Sequence, residues 1–392
     1  LTATMLTHKI SPVPFLVSLL FCLWSPLAQG QVDSIAMDSV AKEPFHDQLL
    51  NTADDVLDWM STDTWSFIPV VTYSPETSLG LGLGAIKVFK PQVGASERLR
   101  PSSMPITFIY TLKKQAILEM DIDLWKNDNR DFFNASLELA NYPFEFYGIG
   151  NDLPADNMED YSSRYFYLRL NYMRKILPNV YVGPWMEYRT EEVYKKEEGG
   201  LLAGGTIPGS NSPQVAGIGL KINYDSRNDI FQPDKGSFHQ VSWITYHDFF
   251  GSDYTYNRYE VDLRKYIPVW KNKVLAVQGY WSFVDGVAPF QQTSLLGGSK
   301  RMRGYFEGRY RDQLAMVYQA ELRMPIYRSL GLVFFGSTGQ VAEKLSQYGF
   351  DRFHYGAGFG FRYKFMDEGI NIRIDFGFGD QTAFYFGLNE VI

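Results

Sequence analysis

The stretch "GINIRIDFGFGD" at residues 369–380 decides the fold. Ile370, Ile372, Ile374, Phe376 and Phe378 share one parity, while Asn371, Arg373, Asp375, Gly377 and Gly379 share the other. Alternation of this kind separates apolar from polar side chains only in a β-strand, where successive residues point to opposite faces. Working back along the chain, "HYGAGFGFRYKF" (354–365) sets Tyr355, Ala357, Phe359, Phe361, Tyr363 and Phe365 against Gly356, Gly358, Gly360, Arg362 and Lys364. "QLAMVYQAELRM" (313–324) sets Leu314, Met316, Tyr318, Ala320, Leu322 and Met324 against Gln319, Glu321 and Arg323. "YEVDLRKYI" (259–267) and "AILEMDIDLW" (116–125) repeat the pattern. A soluble sandwich alternates too. These runs, however, are roughly 10–14 residues long, where soluble strands are near 5–6. A tilted strand crossing hydrocarbon needs roughly 9–11. Trp125, Tyr188, Trp243, Tyr254 and Trp281 fall near strand ends, where interfacial girdles sit. The expected fold is therefore all-β, a transmembrane antiparallel barrel, whose closure pairs every backbone donor and acceptor.

The pattern predicts sixteen strands: 66–74, 78–89, 104–113, 115–126, 130–141, 161–174, 179–191, 214–225, 237–247, 255–267, 273–283, 312–325, 330–341, 352–364, 369–378 and 383–391. An even number leaves both ends periplasmic. A first strand at 77–89 is the alternative, and it needs a further strand within 142–160 or 192–213. The tight connections 175–179, 269–272 and 327–330 then lie in the periplasm, and the long ones, 142–160, 192–213 and 284–311, outside the cell.

The 392 residues are 45% hydrophobic and 16% aromatic, a composition that excludes a disordered chain. Net charge is -7 and no basic stripe stands out, so no nucleic-acid partner is expected. His8 and Lys9, the apolar run "ISPVPFLVSLLFCLW" and "SPLAQG" read as a secretory signal over residues 1–30, cleaved before Gln31. Cys22 lies within it and is the only cysteine, so the mature chain has neither disulfide nor thiolate chemistry. No run of 18 apolar residues offers a helical span. Residues 31–65 read as a short periplasmic segment, with Leu49, Leu50, Val56, Leu57 and Met60 at helical spacing. Residues 66–392 are the expected barrel.

Three stretches go beyond periodicity: "GIGLKINYDSRNDIFQPDKG" (217–236), "GGSKRMRGYFEGRYRD" (297–312) and "QAELRMPI" (319–326) followed by "LVFFGSTGQV" (332–341). Together with "VVTYSPETSLGLGLGA" (70–85), they resemble the bacterial surface antigen superfamily. These outer-membrane barrels are related to the assembly proteins BamA and TamA and to two-partner secretion transporters. The resemblance implies a long sixth extracellular loop folded into the lumen, with Arg303, Gly304 and Tyr305 at its tip. It implies that Arg303 meets Glu321 on the inner wall, a guanidinium fork on a carboxylate. The family usually has Phe-x-Asp-x-Gly on the next strand. Here Ser337 stands in the place of that second carboxylate, so a weaker or differently paired loop clamp is expected. Asp225 and Arg227 also match the family and are expected to shape a turn at the rim, as are Pro233 and Gly236. Family members commonly end in Phe or Trp. This chain ends in "FYFGLNEVI", where Phe384, Phe386, Leu388 and Ile392 form an apolar face broken by Glu390. Its glycines allow a weak or openable seam between first and last strands.

No nucleophile pattern accompanies His46, His239, His247 or His354, and no metal motif is present. The inward charges Glu119, Asp121, Asp123, Glu260 and Asp262 suit a hydrated lumen wall. A non-enzymatic protein without cofactor or metal is expected, in the outer membrane of a Gram-negative bacterium. Its expected surroundings are lipid and lipopolysaccharide, with envelope proteins or complex subunits as partners. Three functions remain open: protein translocation or envelope assembly, a passive or selective channel or structural surface barrel, and an accessory subunit of a larger complex. The family's periplasmic repeat domains have no counterpart in the motifs found, which leaves a barrel-only reading.

Overall fold

The computed structural model describes residues 65–89, 99–364, 371–388 and 390–392. The signal at 1–30, with Cys22, and the helix expected within 31–65, with His46, lie outside these residues.

Alternating side chains fold into strands: β1 Ser66–Ser74, β2 Ser78–Phe89, β3 Ser102–Thr111, β4 Ala116–Lys126, β5 Asp131–Phe146, β6 Glu159–Leu177, β7 Val180–Lys196, β8 Gln214–Asp225 and β9 Gly236–Tyr246. They continue as β10 Tyr256–Trp270, β11 Lys273–Gly286, β12 Ser294–Leu296, β13 Tyr310–Asp312, β14 Leu314–Tyr327, β15 Leu330–Ala342, β16 His354–Lys364, β17 Asn371–Phe378 and β18 Thr382–Leu388. Sixteen of them form one antiparallel sheet in chain order. β12 and β13 make a separate hairpin inside the loop between β11 and β14. The sheet curls round until Tyr73 of β1 meets Phe384 of β18, ring centres 5.8 Å apart. No hydrogen-bonded ladder joins β1 to β18 among the described residues.

Alternation sorts the two faces of this wall. Leu81 and Leu83 of β2 are 61% and 70% exposed, whereas Glu321 of β14 and Asp375 of β17 are 0% exposed. An aqueous protein does the reverse, so the apolar face looks toward a nonaqueous solvent and the charges toward an enclosed lumen. Short turns use residues that tolerate a left-handed backbone. Asn127, Asp128 and Asn129 all have positive φ between β4 and β5, as do Asn179 and Asn272 in later turns. One end of the sheet carries these turns together with the ten-residue connection 226–235. The other carries the loops 147–158, 197–213 and 287–313 as well as tight turns at 75–77 and 112–115.

The last strand departs from expectation. It stops at Leu388, not at 391. Glu390 and Ile392 do not extend the apolar outer face. Val391 and Ile392 are buried inside the lumen against Tyr266 and Ala276, with Phe238 and Val274 beside them. The physical reason is Glu390. Its carboxylate accepts from Arg362 Nε at 2.7 Å and from Asn371 Nδ2 at 2.9 Å, which draws the chain inward across the turn end.

Candidate functional site: a ring of charge between loop and wall

Loop 287–313 enters the lumen because its own apolar residues need cover. Leu296, Met302, Tyr305 and Tyr310 pack with Tyr280, Ala315, Val317 and Val341 of the wall. The β12–β13 hairpin stiffens the loop's stem. At its tip Gly304 has φ +102, and a Cβ there would lie 2.6 Å from the carbonyl carbon of Phe378. Only glycine lets the backbone lie so close to β17. The Gly304 N–H donates to Tyr385 Oη at 3.0 Å, and the Tyr305 hydroxyl donates to the Tyr355 carbonyl at 2.8 Å.

Arg303 is 1% exposed. Its Nη2 donates to Glu321 Oε1 at 2.5 Å and its Nη1 to Asp375 Oδ2 at 2.5 Å. The guanidinium also lies 3.5 Å from the centre of the Phe335 ring, a cation–π contact in a desolvated place. Each carboxylate serves a second arginine. Glu321 Oε2 accepts from Arg323 Nη2 at 3.1 Å, and Asp375 Oδ1 accepts from Arg362 Nη1 at 2.6 Å. Arg362 continues to Glu390, and Arg323 reaches the Ile392 carbonyl at 2.6 Å. Arg323 Nε and Glu390 Oε2, 3.7 Å apart, close a ring of three guanidinium groups and three carboxylates. Charges this deep persist only because each has opposite charge and hydrogen bonds on both sides.

The structure thus brings Arg303, Gly304, Tyr305 and Glu321 together. It does not bring in Ser337, whose Oγ is buried without a hydrogen-bond partner among the described residues. The second carboxylate comes from Asp375 on β17 instead. Sequence reasoning set Asp375, Arg362 and Arg323 on the inward parity without assigning them to the loop. Which inward residues meet depends on curvature across strands, and alternation carries no such signal. Glu390 shows in the sequence only as an interruption of the apolar face.

The second group of residues sits at the turn end. Arg227 grips Asp225 bidentately, Nε to Oδ1 and Nη2 to Oδ2, both at 2.9 Å, and Arg100 Nη1 joins at 2.6 Å. Gly236 has φ +105, and a Cβ there would sit 2.2 Å from the Ser226 carbonyl oxygen. The Pro233 carbonyl accepts from Arg323 Nη1 at 3.5 Å, and Gln232 hydrogen-bonds Asn371. Connection 226–235 therefore reaches from the β8–β9 side to β14 and β17, where the sequence suggested only a tight turn.

At the opposite end Glu76, in the β1–β2 turn, is 4% exposed and accepts from the Glu307 N–H of the loop at 2.7 Å. Burial pushes its carboxyl up to about 7, with the Glu307 charge adding to the rise and a hydrogen bond from Ser74 opposing it. Among the described residues, no three His, Cys, Asp or Glu side chains converge as a metal site.

A model of the Omp85 superfamily domain matches residues 130–390. No curated protein sequence matches the chain. Among solved structures, BamA from Haemophilus ducreyi lacking POTRA domains 1–3 is 14% identical, with a TM-score of 0.54 over 84% of this chain and 70% of that one. CdiB from Acinetobacter baumannii is 10% identical, with a TM-score of 0.53 over 84% of this chain and 60% of its own. CdiB from Escherichia coli is 9% identical, with a TM-score of 0.56 over 84% and 63%. At these identities the likeness is one of fold, and the chain spans less than two thirds of either CdiB.

Proposed function

The chain belongs to the Omp85 superfamily, and from that membership we propose that residues 66–392 form a sixteen-stranded outer-membrane barrel acting in protein translocation or envelope assembly. The superfamily consists of outer-membrane proteins of Gram-negative bacteria concerned with assembly and transport. In this reading the turn end faces the periplasm and the long loops face outward. The partners are outer-membrane lipid and lipopolysaccharide together with envelope proteins or subunits of an outer-membrane complex. Arg303, Gly304, Tyr305 and Glu321 act as the loop clamp, with Asp375 in the role expected of Ser337.

One observation carries the choice against an open channel. The lumen holds a loop anchored by a buried arginine at one end and the buried residues Val391 and Ile392 at the other. A passive pore has no use for two obstructions. Among the described residues the seam between β1 and β18 is bridged by rings and not by a ladder, which suits a wall that opens. Slow amide exchange in β1 and β18, equal to that of β10 and β11, would argue against such opening.

A second reading is a selective channel, and one feature favours it. Glu119 and Glu138 stand directly opposite on β4 and β5, both on the lumen side. Opposed like charges persist where water or counterions screen them. Gentle detergent purification with identification of co-purifying proteins, followed by single-channel recording, separates the readings. Assembly or translocation predicts a retained envelope partner and small, flickering conductance. A large, steady conductance from the chain alone replaces this reading with the channel.

A further inference from the structure

The charge ring is complete without Arg373. Among the described side chains, Arg303, Arg323 and Arg362 meet Glu321, Asp375 and Glu390 one for one. Arg373 is a fourth guanidinium beside them, 7% exposed, and directly opposite Arg362 in the β16–β17 register. Like charges at opposed positions repel. The nearest carboxylate oxygen to Arg373 is Asp375 Oδ2 at 3.6 Å, and that oxygen is already held by Arg303 at 2.5 Å. Among the described residues Arg373 makes one long hydrogen bond, Nη1 to the Ser299 carbonyl at 3.4 Å. Its Nε and the Nη2 of Arg362 are buried N–H groups with no hydrogen-bond partner among the described residues. Gly387 on β18 leaves the room that the guanidinium occupies, since a Cβ there would lie 2.9 Å from Nη2. A buried cation with no anion of its own is costly to desolvate, and guanidinium groups with free N–H donors are natural seats for oxyanions.

We propose that Arg373, next to Arg362, binds a small oxyanion of the inorganic phosphate class on the lumen wall of β16 and β17. The anion supplies the charge that the ring withholds and accepts from donors left open. This site does not depend on whether the barrel translocates or conducts.

The probe is inorganic phosphate. Protein purified in detergent, with chloride replaced by gluconate, is titrated calorimetrically at constant ionic strength. Saturable binding at one site per chain is expected, weakened about tenfold or more in Arg373→Gln, as expected for loss of a charge-assisted fork. Arg373→Lys, which keeps the charge and loses the fork, should fall between the two and guards against a variant that fails to fold. Thermal unfolding gives a second readout. Without phosphate, Arg373→Gln should melt above the parent, because an uncompensated buried charge has gone; with saturating phosphate the order should reverse. Absence of saturable binding, or equal affinity in parent and both variants, overturns the proposal. So does a variant that melts below the parent by the same margin with and without phosphate, since that is the signature of a plain structural pair with Asp375.

Discussion

The two ends of the lumen are closed by different means. At the loop end a long excursion carries its own hairpin, its own apolar cluster and backbone hydrogen bonds to wall and turn. At the turn end the chain reaches inward at Glu390, Val391 and Ile392, held by side chains of Arg362, Asn371 and Arg323 and by one apolar seat, with connection 226–235 beside them. The first closure would survive the loss of several contacts. The second rests on few. Yet both end on the same ring of charge, so the ring is where the two ends can feel each other. Removing a member shows whether each closure stands alone.

Arg303→Ala should have the largest effect. It leaves Glu321 and Asp375 each short of a guanidinium, and breaking a buried ion pair from one side costs about 3–5 kcal/mol. The expected outcome is a lower unfolding midpoint and rapid protease cleavage within 297–309. If the ring couples the two ends, amide exchange near 390–392 should also quicken. Unchanged exchange there would mean that the closures are independent.

Glu390→Ala comes next. Its carboxylate holds two hydrogen bonds, and loss of bonds to a charged group costs about 1.5–3 kcal/mol. The last residues should leave the lumen, so conductance should rise while the loop at 297–309 stays protected. Unchanged conductance would mean that the last residues contribute little to closure.

The strands were legible in sequence because one face must avoid water and the other must line it. Parity alone put Arg323, Arg362, Arg373 and Asp375 on the inner wall. Long-range pairing was not legible. Asp375 is 72 residues from Arg303, and only the curl of four strands brings it there. The inward turn at Glu390 was hidden because a single charged residue in an apolar face marks an interruption without saying which partners will draw it in. The expectation failed where an ion pair outweighed the periodic pattern. Connection 226–235 was similar: Pro233 and Gly236 announce a turn, but nothing local says that it reaches Arg323.

A pH change should act on the loop end and spare the other. The folded-state value of Glu76, about 7, lies above its ordinary 4.5. The folded protein therefore keeps a proton that the unfolded chain has released. The associated stability is complete below about 4.5 and is lost as pH rises through about 7. Thermal midpoints should fall by roughly a few degrees between about pH 5 and about pH 8, with faster exchange at the Glu307 amide. Glu76→Gln should flatten this dependence and leave exchange at 390–392 unaltered. An equal pH dependence in the variant would assign the titration elsewhere.

Ser337→Ala should do least, and that makes it the sharpest check on where the loop's second carboxylate lies. Ser337 occupies the place at which the family carries an acid, so a clamp running through β15 would weaken when its hydroxyl is removed. In the structure that hydroxyl is buried with no hydrogen-bond partner among the described residues, while Asp375 already meets Arg303 at 2.5 Å. Removing an unpartnered buried hydroxyl relieves desolvation and opens a space of only one oxygen atom. The net change should stay within about 0.5 kcal/mol, with either sign, and the loop should remain protected from protease. Asp375→Asn in the same assay should approach the Arg303→Ala loss, because it deprives both Arg303 and Arg362 of a charge. If Ser337→Ala proved the more damaging of the two, the loop would be held through β15, and the ring through β17 would be secondary.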